Sequence, residues 1–144
     1  MYNEVLRKVV LFFLCMRVCA CVFILHFFTL PKQMVARHYS YYLEDGMDIL
    51  ELGAAEESYL PENIKLNRLL GVGLSPELME QNPSLTERMV IDLNKVSLDV
   101  GVEELESLGS DSFDAILMAN TIDFLTDPKE VFRQVCLTLL CEPL

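Results

Sequence analysis

The chain has 144 residues, 11 Lys or Arg against 22 Asp or Glu, and a net charge of −11. That length suits one domain and hardly two. Residues 1–43 hold five basic against one acidic side chain, and residues 44–144 hold six against twenty-one; the acidic part excludes nucleic acid as a backbone-bound partner, because phosphates are repelled, and leaves room for a small cationic or zwitterionic ligand.

The front end is apolar. Fourteen of the residues in "VVLFFLCMRVCACVFILHFFTL", Val9 to Leu30, are Val, Leu, Ile or Phe. At about 1.5 Å per residue a helix of this length reaches across a bilayer. Each such residue contributes about −0.3 to −0.6 kcal/mol, which offsets a central Arg17 at about +2.5 to +3.5 kcal/mol. Arg7 and Lys8 precede the run, as in a signal-anchor with a cytosolic N-terminus, and no small-x-small cleavage site follows it. Arg17 and His26 are expensive in lipid, so a helix packed on the sheet, or a non-native extension, competes with the spanning reading. The spanning reading makes the chain membrane-associated through 9–30; its competitors leave it cytoplasmic. Cys15, Cys19 and Cys21 fall in this run, with Cys136 and Cys141 far away. Their spacing offers no set of four converging ligands, so no metal is expected and buried reduced thiols are.

Pro31 ends the run. "KQMVARHYSYYLEDG" then predicts a helix, with Met34, Val35, His38, Tyr41 and Tyr42 on its apolar face and Gly46 as terminator. "MDILELG" predicts a short strand over 48–53, buried on both faces. "RLLGVG" predicts a second over 68–73. Ser75 as N-cap, Pro76 at the first helical position and the acids that follow predict a helix start at "SPELMEQ". "RMVIDL" predicts a third strand, near 89–93. "VEELESLG" suits a short helix or turn. "FDAILMAN" predicts a fourth strand over 113–119. "DPKEVFRQVCLTLL" predicts a last helix, capped by Asp127, with a stripe of Val131, Phe132, Val135 and Leu139.

Strands alternating with helices argue for a parallel sheet with crossover helices. Ligands of such sheets sit beyond the carboxyl ends of the strands. Those ends carry Glu51–Gly53, Gly73–Leu74, Asp92–Leu93 and Asn120, the acids and glycines a nucleoside site uses, although turns favour the same residues.

Three stretches resemble the class I S-adenosylmethionine-dependent methyltransferases, of the methyltransferase type 11 group. They are "DILELGAAEE", "GVGLSPELME" and "SDSFDAILMANTIDFLTDPKEVFRQVCLTL", and together they cover roughly Gly46 to Leu140. The resemblance implies an α/β fold: a partial Rossmann-like parallel sheet of strand order 3-2-1-4 with flanking helices, preceded by an N-terminal hydrophobic helix. It divides the chain into an apolar segment, 1–31, and a shortened methyltransferase-like domain, 32–144. It also implies a cofactor site. Glu51, Gly53 and Ala54 would line the methionine end of S-adenosylmethionine. Gly73 and Leu74 would face the ribose, Asp92 would bond the adenine amino group with Leu93 beside the ring, and Asn120 would lie near the methyl group. No catalytic residue is implied, because the sulfonium is already activated and the protein mainly positions the attack.

The departures from the family are specific. Ala55 and Glu57 replace the second and third loop glycines. Ten residues, Pro61 among them, separate Glu57 from Arg68, too few for a full crossover helix whose N-terminus could hold a carboxylate. Gly73 stands where the family has the ribose acid. The family's "LKPGG" turn and later strands do not follow Leu140, which leaves an apolar edge for a protein partner or another part of the chain to cover. The expectation is therefore a methyltransferase-like protein that binds S-adenosylmethionine weakly, with activity weakened or lost and the methyl acceptor unspecified. A non-catalytic membrane-tethered interaction module, or a shortened product without independent function, is the alternative.

Overall fold

The computed structural model describes residues 32–95, 113–119 and 121–139. In chain order these form helix α1 (Lys32–Tyr39), strand β1 (Asp48–Leu52), strand β2 (Arg68–Gly73), helix α2 (Pro76–Glu80), strand β3 (Glu87–Val90), a 3-10 turn (Leu93–Lys95), strand β4 (Ala115–Met118), a second 3-10 turn (Ile122–Phe124) and helix α3 (Pro128–Leu139). The strands make one sheet in the order β3-β2-β1-β4. Every pairing is parallel, as the alternation of apolar runs and helices required. The apolar run 9–30, the segment "VEELESLG" and Asn120 lie outside the described residues. Among the described residues no helix is long and apolar enough to cross a membrane.

The two central strands are apolar because both faces are covered. Ile49, Leu50 and Leu52 of β1, and Leu69, Leu70 and Val72 of β2, are all buried. Successive side chains point to opposite faces. Ile49, Leu69 and Leu117 therefore join Val35 and Tyr39 of α1 and Met79 of α2 in one core. Leu50, Leu52, Leu70, Val72 and Met118 join Val131 of α3 in the other. Helices thus cover both faces.

Helix ends follow their sequence signals. The Ser75 hydroxyl accepts the Leu78 amide at 3.3 Å, and Pro76 opens the helix. Asp127 Oδ1 accepts the Glu130 amide at 3.1 Å, which caps α3. Val131 is buried and Phe132 half-buried against the core; the side chains of Val135 and Leu139 lie outside the description.

Three expectations are corrected. α1 stops at Tyr39 and buries Val35 and Tyr39, joined by Leu43 just after the turn that follows, while Met34 and Tyr41 are 51% and 71% exposed and Tyr42 is also exposed. Both sets follow helical spacing and share Val35; the buried face is the expected one rotated about the helix axis toward Tyr39. His38 stacks edge-on against Tyr42 at 5.3 Å, and its buried Nε2 has no hydrogen-bond partner. The third strand is Glu87–Val90 rather than 89–93, and it is mostly exposed. Its register is set early. Arg68 donates to both carboxylate oxygens of Glu87 at 2.8 Å, and the Thr86 amide reaches the Leu69 carbonyl at 3.0 Å. β2 ends at Gly73, so pairing ends with it, after one last bond from the Ile91 amide to the Gly73 carbonyl at 3.1 Å. β4 is also shorter than expected. Phe113 lies before it, buried beneath the Arg68 guanidinium at 4.9 Å, an arrangement that favours the cation over the ring face.

Residues 53–67 contain no helix. A parallel crossover usually needs one to return the chain across the sheet. Here the loop is fastened by hydrogen bonds. The Gly46 amide reaches the Lys65 carbonyl at 2.8 Å, the Lys65 amide reaches Asp45 Oδ1 at 2.8 Å, and the Asn67 amide reaches the Met47 carbonyl at 3.0 Å.

Candidate functional site

A cavity of about 570 Å³ opens at the carboxyl ends of the strands. That volume suits a small-molecule ligand. Glu51, Gly53, Ala54, Gly73, Leu74, Asp92 and Leu93 all line it, so the sheet gathers seven of the eight residues singled out from the sequence. The eighth, Asn120, lies outside the described residues.

The first wall is the loop after β1. Gly53 has φ +76°, a conformation that favours glycine. A Cβ there would also sit on the Thr121 hydroxyl. The Gly53 and Ala54 amides both turn back onto the Val72 carbonyl, at 2.7 and 2.9 Å. Glu51 is 6% exposed, and its carboxylate accepts the Ser58 hydroxyl. Asn82, fully buried, donates to Ser58 Oγ and to the Ala55 carbonyl, each at 3.0 Å, and accepts the Ser84 amide at 3.0 Å. Burial pushes the Glu51 carboxyl up to about 7, against the lowering effect of the Ser58 hydrogen bond. Glu57 is exposed at the cavity's rim and pairs with Lys32 at 3.2 Å.

Gly73 sits between the walls, in ordinary backbone conformation. A Cβ on it would collide with the Ala54 carbonyl and press on Met79 Sδ at 3.1 Å. Glycine is required here by the close approach of the loop rather than by a turn. The Ala54 carbonyl stands where a side chain on residue 73 would begin.

The second wall comes from the segments after β3 and β4. Asp92 is half-buried; its Oδ1 accepts the Asn94 amide at 3.1 Å and its Oδ2 lies 3.5 Å from Lys95 Nζ. Leu93 is buried beneath it. Asn94 ties the two segments together. Its Nδ2 donates to the Phe124 carbonyl at 3.0 Å, and its Oδ1 accepts the Thr126 amide at 2.7 Å. Leu74 and Phe124, 64% and 75% exposed, both line the cavity.

Sequence reasoning missed Ser58, Asn82, Asn94, Thr121 and Phe124. Asn82 stands in an Asn-Pro turn signal, and Asn94 follows the singled-out Asp92–Leu93 pair. Nothing local marks Phe124. Among the described residues no group of three or more His, Cys, Asp or Glu side chains could hold a metal ion.

No protein-family model and no curated protein matches the sequence significantly. Solved structures do. An S-adenosylmethionine-dependent methyltransferase from Mesorhizobium loti superposes with a TM-score of 0.53 at 20% identity, over 76% of this chain and 49% of the other. A chain from the complex between the Haloferax volcanii Trm112 methyltransferase activator and a methyltransferase superposes with a TM-score of 0.50 at 19% identity, over 75% and 50%. This chain therefore spans about half the length of the solved chains it matches. At such identities the likeness shows the fold, which is that of the class I S-adenosylmethionine-dependent methyltransferases.

Proposed function

We propose that this chain is a methyltransferase-like domain that holds an adenosyl group at its strand ends, binds S-adenosylmethionine weakly, and transfers no methyl group by itself. The observation that carries the reading is the contrast around Gly73. Asp92 and Leu93, to which the resemblance gives the adenine, line a cavity of suitable size. Residue 73, to which the resemblance gives the ribose, is glycine, and the Ala54 carbonyl closes the space a side chain would need.

The residues fit S-adenosylmethionine only in part. The adenosyl portion has an acceptor in Asp92 and apolar surface in Leu93 and Ile91. The amino-acid portion has no helix N-terminus to receive its carboxylate, because 53–67 is helix-free. No methyl-transfer step is therefore assigned to these residues.

Titration calorimetry with S-adenosylmethionine tests the reading. The expected dissociation constant is on the order of 0.1 mM or weaker, and Asp92→Ala weakens it further. Micromolar binding, or methyl transfer by the chain alone, overturns the proposal.

A protein partner is also proposed. Among the described residues β4 pairs only with β1, which makes its outer edge the place where a partner strand could add. The Haloferax volcanii methyltransferase was solved with an activator protein, which supports a partnered state for a domain of this fold. Pull-down of a partner that protects β4 amides from hydrogen exchange would support it; unprotected amides in every complex would not.

A further inference from the structure

We infer that the cavity discriminates against ligands bearing a carboxylate and takes instead an adenosyl sulfonium whose side chain ends in an amine alone. This deepens the reading above and rests on it: the adenosyl end is placed as proposed there, and the inference concerns the other end.

The first ground is the state of the donors. A ligand carboxylate needs hydrogen-bond donors or a cation, and leaving it without them loses the solvation it had in water. The two amides nearest the end of β1, Gly53 and Ala54, both point to the Val72 carbonyl. The Ser75 hydroxyl donates to Glu77 at 2.9 Å. The Thr121 hydroxyl donates to the Ala119 carbonyl at 2.9 Å, and the Asn94 amide group to the Phe124 carbonyl. Each donor named is already engaged within the protein.

The second ground is charge. The cavity is lined by Glu51, Glu56, Glu57 and Asp92, and by no Lys, Arg or His among the described residues. Lys32 and Lys95 lie beside two of these acids, Glu57 and Asp92, on exposed side chains at 3.2 and 3.5 Å. Water screens such exposed pairs strongly. Glu51 and Glu56 have no ion-pair partner among the described residues. A carboxylate entering this wall meets the like charge of Glu56, Glu57 and Asp92 with no cation among the lining side chains; an ammonium or sulfonium meets acceptors, the buried Glu51 carboxyl among them. Decarboxylated S-adenosylmethionine carries both cations and lacks the carboxylate, so its charge complements the wall from end to end.

Calorimetry on the full chain with three ligands tests the inference. 5′-Methylthioadenosine, which has no amino-acid portion, reports the adenosyl site alone. S-adenosylmethionine and its decarboxylated form differ only by the carboxylate. The decarboxylated form is expected to bind roughly tenfold or more tighter than S-adenosylmethionine, with the advantage shrinking as salt is raised. If 5′-methylthioadenosine binds and the two sulfonium ligands bind alike, or S-adenosylmethionine binds tighter, the inference is overturned while the adenosyl site stands. If none of the three binds, both readings fall. The Glu56→Gln, Glu57→Gln double variant changes exposed side chains and leaves the core intact. It is expected to narrow the preference; an unchanged preference removes the loop acids from the explanation and overturns the charge argument.

Discussion

The two walls of the cavity treat their polar groups in opposite ways. The loop after β1 satisfies itself: its first amides bind Val72, its buried acid is capped by Ser58, and Asn82 pins Ser58 and Ala55 from behind. The segments after β3 and β4 bind each other through Asn94 and leave Asp92 half-buried at the cavity surface. A loop without a crossover helix has no ladder to satisfy its backbone, and buried polar groups must find partners somewhere. Here they find them in one another. That supplies order to the loop and turns the Gly53 and Ala54 amides away from a zwitterion's carboxylate.

The largest expected effect comes from forcing the walls apart. Gly73→Asp places a side chain on the Ala54 carbonyl and a carboxylate in a buried position. Overpacking and charge burial together should lower stability by about 3 kcal/mol or more, read as a fall in the urea midpoint. Gly73→Ala should cost about 1–3 kcal/mol through the collision alone. A Gly73→Asp protein as stable as wild type, with tighter S-adenosylmethionine binding, would break the comparison, because the acid site would then be vacant rather than filled by backbone.

The next effect follows pH. Glu51 is raised from 4.5 to about 7 in the folded chain. The folded state therefore keeps a proton that the unfolded state releases over that interval. Its contribution is fully present below about pH 4.5 and is lost as pH rises through 7, amounting to about 3 kcal/mol. Urea unfolding from pH 5 to 8, compared between wild type and Glu51→Gln, isolates it: the variant should gain on wild type as pH rises. A difference independent of pH would show that Glu51 is not a buried proton carrier.

Asn82→Ala removes three hydrogen bonds from a fully buried site and leaves the Ser84 amide without its acceptor. A loss of about 1–3 kcal/mol is expected, with faster hydrogen exchange across 54–60. Fast exchange without lost stability would mean the loop is ordered by something other than this network.

The smallest effect belongs to the second wall. Asn94→Ala should cost about 1 kcal/mol, since its bonds are exposed and water replaces part of them. Adenosyl binding should weaken at the same time. A larger loss than that of Asn82→Ala would reverse the ranking of the two walls.

Much of this architecture was legible because short-range physics writes it locally. Continuous apolar runs in β1 and β2 mark strands covered on both faces. Ser75–Pro76 and Asp127–Pro128 mark helix starts whose caps form as expected. The helix-free crossover was legible from the short, Pro61-bearing spacing. The face of α1 was not: a run holding Met34, Tyr41, Tyr42, Val35, Tyr39 and Leu43 offers two apolar stripes, and contact with the sheet selects one. β3 was misplaced because its register comes from Arg68 and Glu87, partners nineteen residues apart.

The sequence by itself determined the element order, the parallel sheet and six strand-end residues that line the cavity, with Ala54 added by resemblance, because periodicity, caps and strand-end chemistry act within a few residues. Only the tertiary structure decided why residue 73 is glycine and what the first wall offers a ligand. Those answers depend on the Ala54 carbonyl, nineteen positions away, approaching Gly73, and on Asn82 reaching back to Ser58. Such contacts exist only once β1 and β2 lie side by side.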